Sequence, residues 1–164
     1  EPLYYNHKNT GRPHPDYEPY KKFTSNYIDV INAPLYPFGY GLSYTTFEYS
    51  PIKLSSDTIR EKGKVKASVE VKNTGKFDGK ETVQLYIHDC LSTSTRPVKE
   101  LKGFQKIKLA AGETGKAVIT LDGESFEYYD PSIDELSTRS GKYQILYGSS
   151  SLDKDLQTLD FVVK

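Results

Sequence analysis

Val65, Ala67, Val69 and Val71 alternate with Lys66, Ser68, Glu70 and Lys72. Successive side chains of an extended chain point to opposite faces, so this run reads as a strand with one buried and one wet face. The pattern returns along the chain. Val83, Leu85 and Ile87 alternate with Gln84, Tyr86 and His88, and further apolar rows follow over Leu101–Leu109, Ala117–Leu121, Tyr143–Tyr147 and Leu159–Val163. Phe47 and Tyr49 are in phase, but Ile52 and Leu54 are out by one with Pro51 at the slip, which predicts a bulge or a strand that changes sheet. Phe126 to Pro131 reads as a short extended piece ending in a corner. The total is about seven strands with turn signals every 8–12 residues or so, an all-β sandwich of two face-packed sheets.

Residues 1–36 have neither a helical nor a strand period, and Pro2, Pro13, Pro15, Pro19 and Pro34 break any long helix. Too few aliphatics are present for a core, so the segment is expected to lie over another surface and to be partly mobile without it. Pro34 to Phe47 is rich in aromatics, Pro and Gly and marks a junction. The chain therefore divides into an irregular extension (1–36), a linker (37–44) and a sandwich (45–164).

The 164 residues carry no net charge, so no long-range field draws the chain to nucleic acid or an anionic membrane. No apolar run approaches a membrane span or a signal peptide. The sequence has no methionine, which suggests a piece of something longer. Cys90 is the only cysteine, so no internal disulfide forms.

Few residues suggest chemistry. Asp78 with Glu81, and Asp130 with Asp134 and Glu135, sit in loop signals and read as solvated acids; a catalytic pair needs environments that push two pKa values apart. His7, His14 and His88 have no metal-ligand spacing, and Cys90 lacks an activating base. Ser149, Ser150 and Ser151 follow a glycine in what reads as a hairpin loop, not a nucleophile elbow. Tyr4, Tyr5, Lys8, Arg12, Tyr17, Tyr20, Lys21 and Lys22 mix base and ring, but Asp16, Glu18 and the neutral total argue against a single-strand nucleic-acid groove. No catalytic, cofactor or metal residue is assigned. Tyrosine is abundant at 14 residues. Tyr36, Tyr40 and Tyr44, with Tyr128 and Tyr129, are candidates for contact with a neighbouring domain or a sugar face.

Several blocks occur in a telling order: Pro34 to Phe47, Val69 to Gly75, Asp78 to Tyr86, Arg96 to Phe104, Leu109 to Glu113, Gly141 to Tyr143 and Tyr147 to Ser151. Together they resemble the C-terminal fibronectin type III-like domain of family 3 glycoside hydrolases, the β-glucosidases and β-xylosidases, across residues 45–164. Residues 1–36, with Tyr4 to Pro13, resemble the end of the α/β sandwich domain that precedes it. The resemblance implies a parent that hydrolyses β-linked glucosides or xylosides with retention. The aspartate nucleophile and glutamate acid/base of such a parent lie upstream, about 5–5.5 Å apart. This chain would then be a non-catalytic module bracing the upstream catalytic domains, in the periplasm or outside the cell. A carbohydrate-binding module for β-linked oligosaccharide, or a stand-alone interaction sandwich, is the alternative.

Overall fold

A computed structural model describes residues 3–8, 12, 14, 17–60, 63–91 and 95–164. The strands are β1 (Phe47–Tyr49), β2 (Lys53–Leu54), β3 (Thr58–Ile59), β4 (Lys64–Asn73), β5 (Gly79–Asp89), β6 (Glu100–Leu109), β7 (Thr114–Asp122), β8 (Glu127–Asp130), β9 (Glu135–Thr138), β10 (Gly141–Gly148) and β11 (Leu156–Val163). One sheet places β4 between β7 and the pair β1 and β2; the other runs β3-β11-β10-β5-β6. Both are antiparallel apart from the β3–β11 pairing. The alternation marks every long strand. The extra elements are short: β3, the β8–β9 hairpin and two 3-10 turns.

The inward rows meet as one core. Val65, Val69 and Val71 of β4 and Leu121 of β7 pack against Val83, Leu85, Ile145 and Phe161 of the facing sheet. Phe126 stacks on Phe161 with ring centroids 5.6 Å apart and meets Tyr143 edge-on at 5.4 Å. Phe126 closes a 3-10 turn (Gly123–Phe126) whose Asp122 side chain accepts from the Ser125 amide, so the corner begins as a capped turn before it becomes β8.

The slip at Pro51 is a bulge within one sheet. Tyr49 pairs with Val71 and Lys53 with Ser68, so one extra residue is accommodated on the β1–β2 side. The change of sheet comes later, between β2 and β3.

Asn73 explains the turn that follows β4. It is fully buried, yet its amide donates to the carbonyls of Phe77 (2.8 Å) and Leu109 (3.2 Å) and accepts from the Thr45 hydroxyl and the Gly75 amide. Every polar atom of this buried side chain is satisfied, as burial demands.

Candidate functional site

The outer face of β5 carries Gln84, Tyr86 and His88. Alternation alone marks these residues as wet, but Gln84 and Tyr86 are buried. The cover comes from the N-terminal segment. Tyr5 stacks on Phe38 at 4.3 Å and meets the Tyr86 ring edge-on at 5.8 Å. Gln84 Nε2 donates to the carbonyls of Gly39 (3.2 Å) and Ser149 (2.6 Å). Gly39 sits at φ +78°, and a Cβ there would overlap the Gln84 amide, so glycine is required on both counts. The Val98 amide donates to His7 O (2.9 Å), and Lys8 bridges Pro97. Residues 3–8 and 37–40 thus form a strap over this chain's own sheet.

The connection into β6 is held from several sides. Arg96 pairs with Asp89 at 3.0 Å, both side chains nearly buried, reaches Glu100 at 3.6 Å and lies over the Tyr128 ring at 4.9 Å. His88 Nδ1 donates to Val98 O (2.8 Å), and Lys99 donates to Ser151 O (2.7 Å) and pairs with Asp153. The Arg96 to Phe104 block is therefore a clamp joining strap, sheet and the β10–β11 connection.

The five candidate tyrosines do not form one site. Tyr36 and Tyr40 come together, with centroids 5.5 Å apart, and both are exposed. Tyr44 is 96% exposed and lines a separate shallow groove with Leu42, Asp78, Lys80 and Lys108. Tyr128 is half-buried beneath Arg96, and Tyr129 stands on the β8–β9 hairpin bonded to Asp134. Tyr36 also borders a cleft of about 1660 Å³ between the N-terminal segment and the five-stranded sheet, whose walls include His7, His14, Asn26 and Gln144.

The acids separate too. Glu81 does not sit in a loop, because β5 already begins at Gly79; it is half-buried and accepts from the Tyr49 hydroxyl at 2.7 Å. Burial pushes its carboxyl above the usual range, while the Tyr49 hydrogen bond pulls the other way. Asp130 is held below its ordinary value by hydrogen bonds from Ser132 and Tyr128. Burial, with Asp160 and Asp89 nearby, pushes the Cys90 thiol up, the opposite of an activated nucleophile. His7 and His14 each bond a backbone carbonyl, Tyr4 O and Pro19 O. Among the described residues no group of three His, Cys, Asp or Glu is placed to hold a metal, and no helix is long and apolar enough to cross a membrane.

Among the described residues, fourteen large apolar side chains between Leu3 and Tyr44 are exposed, against seven in the much longer remainder. Ile28, Leu35 and Leu42 are among them.

These features define a fibronectin type III-like β-sandwich, and residues 81–151 match the family model described as "Fibronectin type III-like domain". The chain is 47% identical over 150 residues to a periplasmic beta-glucosidase of Salmonella typhimurium, covering 92% of this chain and 19% of that protein. It is 45% identical to a xylan 1,4-beta-xylosidase of Xylanibacter ruminicola, covering 88% of this chain and 16% of that one. The crystal structure of a beta-glucosidase from Listeria innocua superimposes with a TM-score of 0.85 at 36% identity, over 98% of this chain and 22% of that chain. The chain belongs to the fibronectin type III-like domains of family 3 β-glucosidases and β-xylosidases. It spans about a fifth of the length of the relatives it matches.

Proposed function

We propose that this chain is a non-catalytic module that braces the catalytic domains of a family 3 β-glycosidase. Residues 1–36 continue the preceding α/β sandwich domain, 37–44 link, and 45–164 form the brace. The parent hydrolyses β-linked glucosides or xylosides with retention, using two carboxyl groups supplied upstream. The periplasm is its compartment, by analogy with the Salmonella relative. The observation that carries this reading is the concentration of exposed apolar side chains before Thr45, beside a sandwich that closes its own core. Such side chains are what an interface between domains buries.

The test has two arms. The chain alone is assayed with an aryl β-glucoside, and the full-length polypeptide is compared with a Tyr36→Ser, Tyr40→Ser, Tyr44→Ser variant in thermal inactivation. The reading expects no turnover by the chain, and faster inactivation of the variant parent without loss of this domain's fold. Turnover by a clean preparation of the chain, or an unchanged parent, argues against it. A second reading, contact with β-linked oligosaccharide, rests on the exposed Tyr36–Tyr40 pair. Shifts of these rings in an NMR titration with such oligosaccharides would support it, and a flat response at millimolar ligand would remove it.

A further inference from the structure

The strap meets the outer face of β5 and β6 around Gln84, Tyr86 and Leu101. Beyond Gln84 the same face continues through Phe104, Lys106, Lys108 and Lys80, all exposed. The register puts Phe104 opposite Gln84, Lys106 opposite Thr82 and Lys108 opposite Lys80. Like charges directly opposite on a sheet repel. None of these three lysines takes part in an ion pair among the described residues.

In the other sheet Lys66 faces Thr120 and Lys53 faces Ser68, but three lysines are opposed by acids. There Lys64 faces Asp122, Lys116 faces Glu70 and Lys72 faces Glu48. On the β5–β6 face no acid stands opposite Lys80, Lys106 or Lys108, and two of the three lysines face each other. It also meets the exposed apolar segment before Thr45, because Leu42 and Tyr44 share a groove with Lys80 and Lys108. Asp78 is the one acid on that groove, and its carboxylate already accepts from the Ala111 amide at 3.1 Å.

We propose that this uncovered face, Lys80, Lys106, Lys108 and Phe104 with Leu42 and Tyr44, docks onto an acidic surface of the preceding domains of the same polypeptide. The inference rests on the bracing function proposed above. Its occupant follows from three facts. The face carries unbalanced positive charge. It adjoins the exposed Leu42 and Tyr44. The relatives are about five times as long as this chain, so most of each relative lies outside the matched segment. Charge complementarity of this kind fixes which face meets which.

Hydrogen exchange on the full-length polypeptide tests it, with residues 17–44 and 104–108 followed together. The wild type is expected to protect both. K80E/K106E/K108E should speed exchange over 104–108 about tenfold, the milder K80Q/K106Q/K108Q less, and added salt should imitate them. Unchanged exchange in β4 confirms that the variants fold. Protection of 104–108 that survives charge reversal and salt overturns the acidic partner while leaving the brace intact. Solvent-open 104–108 beside a protected 17–44 also overturns it, as does protection that appears only when a soluble sulfated oligosaccharide is added. Exchange that is fast over 17–44 in the wild type itself sinks the bracing function instead.

Discussion

The sandwich and the segment before it solve the same problem in opposite ways. From Phe47 onward each apolar row finds a facing row in this chain, and the core closes on Phe126, Tyr143 and Phe161. From Leu3 to Tyr44 a few residues, such as Tyr5, Phe38 and Gly39, reach that body, and many large apolar groups stay in solvent. The described residues of this segment form no helix and no strand beyond the single bridge at Lys8. One region has its partners in its own sequence. The other leaves most of its large apolar side chains open.

That contrast can be broken by mutation, and the largest effect belongs inside the core. Phe126→Ala should destabilise the sandwich by about 4 kcal/mol, read by urea unfolding. A loss below 1 kcal/mol would mean that the core is not closed as described. Asn73→Ala leaves the Phe77 and Leu109 carbonyls and the Thr45 hydroxyl without their buried partner. It should cost about 2–3 kcal/mol. Tyr5→Ala removes one ring stack and one edge contact and should cost about 1 kcal/mol. Its main effect should be faster exchange over the strap, with β4 untouched. A loss as large as that of Phe126→Ala would make the strap part of the core and erase the distinction.

The smallest effect is one of pH. Burial raises the folded pKa of Glu81 above its ordinary 4.5, so the folded state holds this proton more tightly than the unfolded state. Between the unfolded and folded values the native state binds more protons, and stability falls as pH rises through that window. Glu81→Gln keeps an acceptor for the Tyr49 hydroxyl and removes the titration. The variant should lose that part of the decline when unfolding is followed from pH 4 to pH 7. An unchanged slope would assign the decline to other groups.

Much of the sandwich was legible because its signal is local. Period-two alternation over Lys64–Asn73 or Gly141–Gly148 needs only neighbours in sequence to be read. The one-residue slip at Pro51 was visible for the same reason. The outer face of β5 was not. Gln84, Tyr86 and His88 look wet by alternation, and their cover comes from Tyr5 and Gly39, far away in sequence. A tyrosine within a polar row was the only hint. Glu81 reads as a loop acid because Gly79 looks like part of a loop, whereas the ladder starts there, opposite Leu109. Arg96 and Asp89 stand on either side of a connection, so no spacing rule joins them. The candidate tyrosines share a composition signal but not a location: Tyr36 and Tyr40 meet, Tyr44 lies apart, and Tyr128 serves Arg96.

The most direct test of the central contrast is amide hydrogen exchange on this chain by itself and within the longer polypeptide. Slow exchange over 64–73 in both, with 17–44 fast in the isolated chain and slow in the longer one, is the expected result. Equal protection of 17–44 in the two forms would contradict it, because the segment would then need no partner beyond its own sandwich.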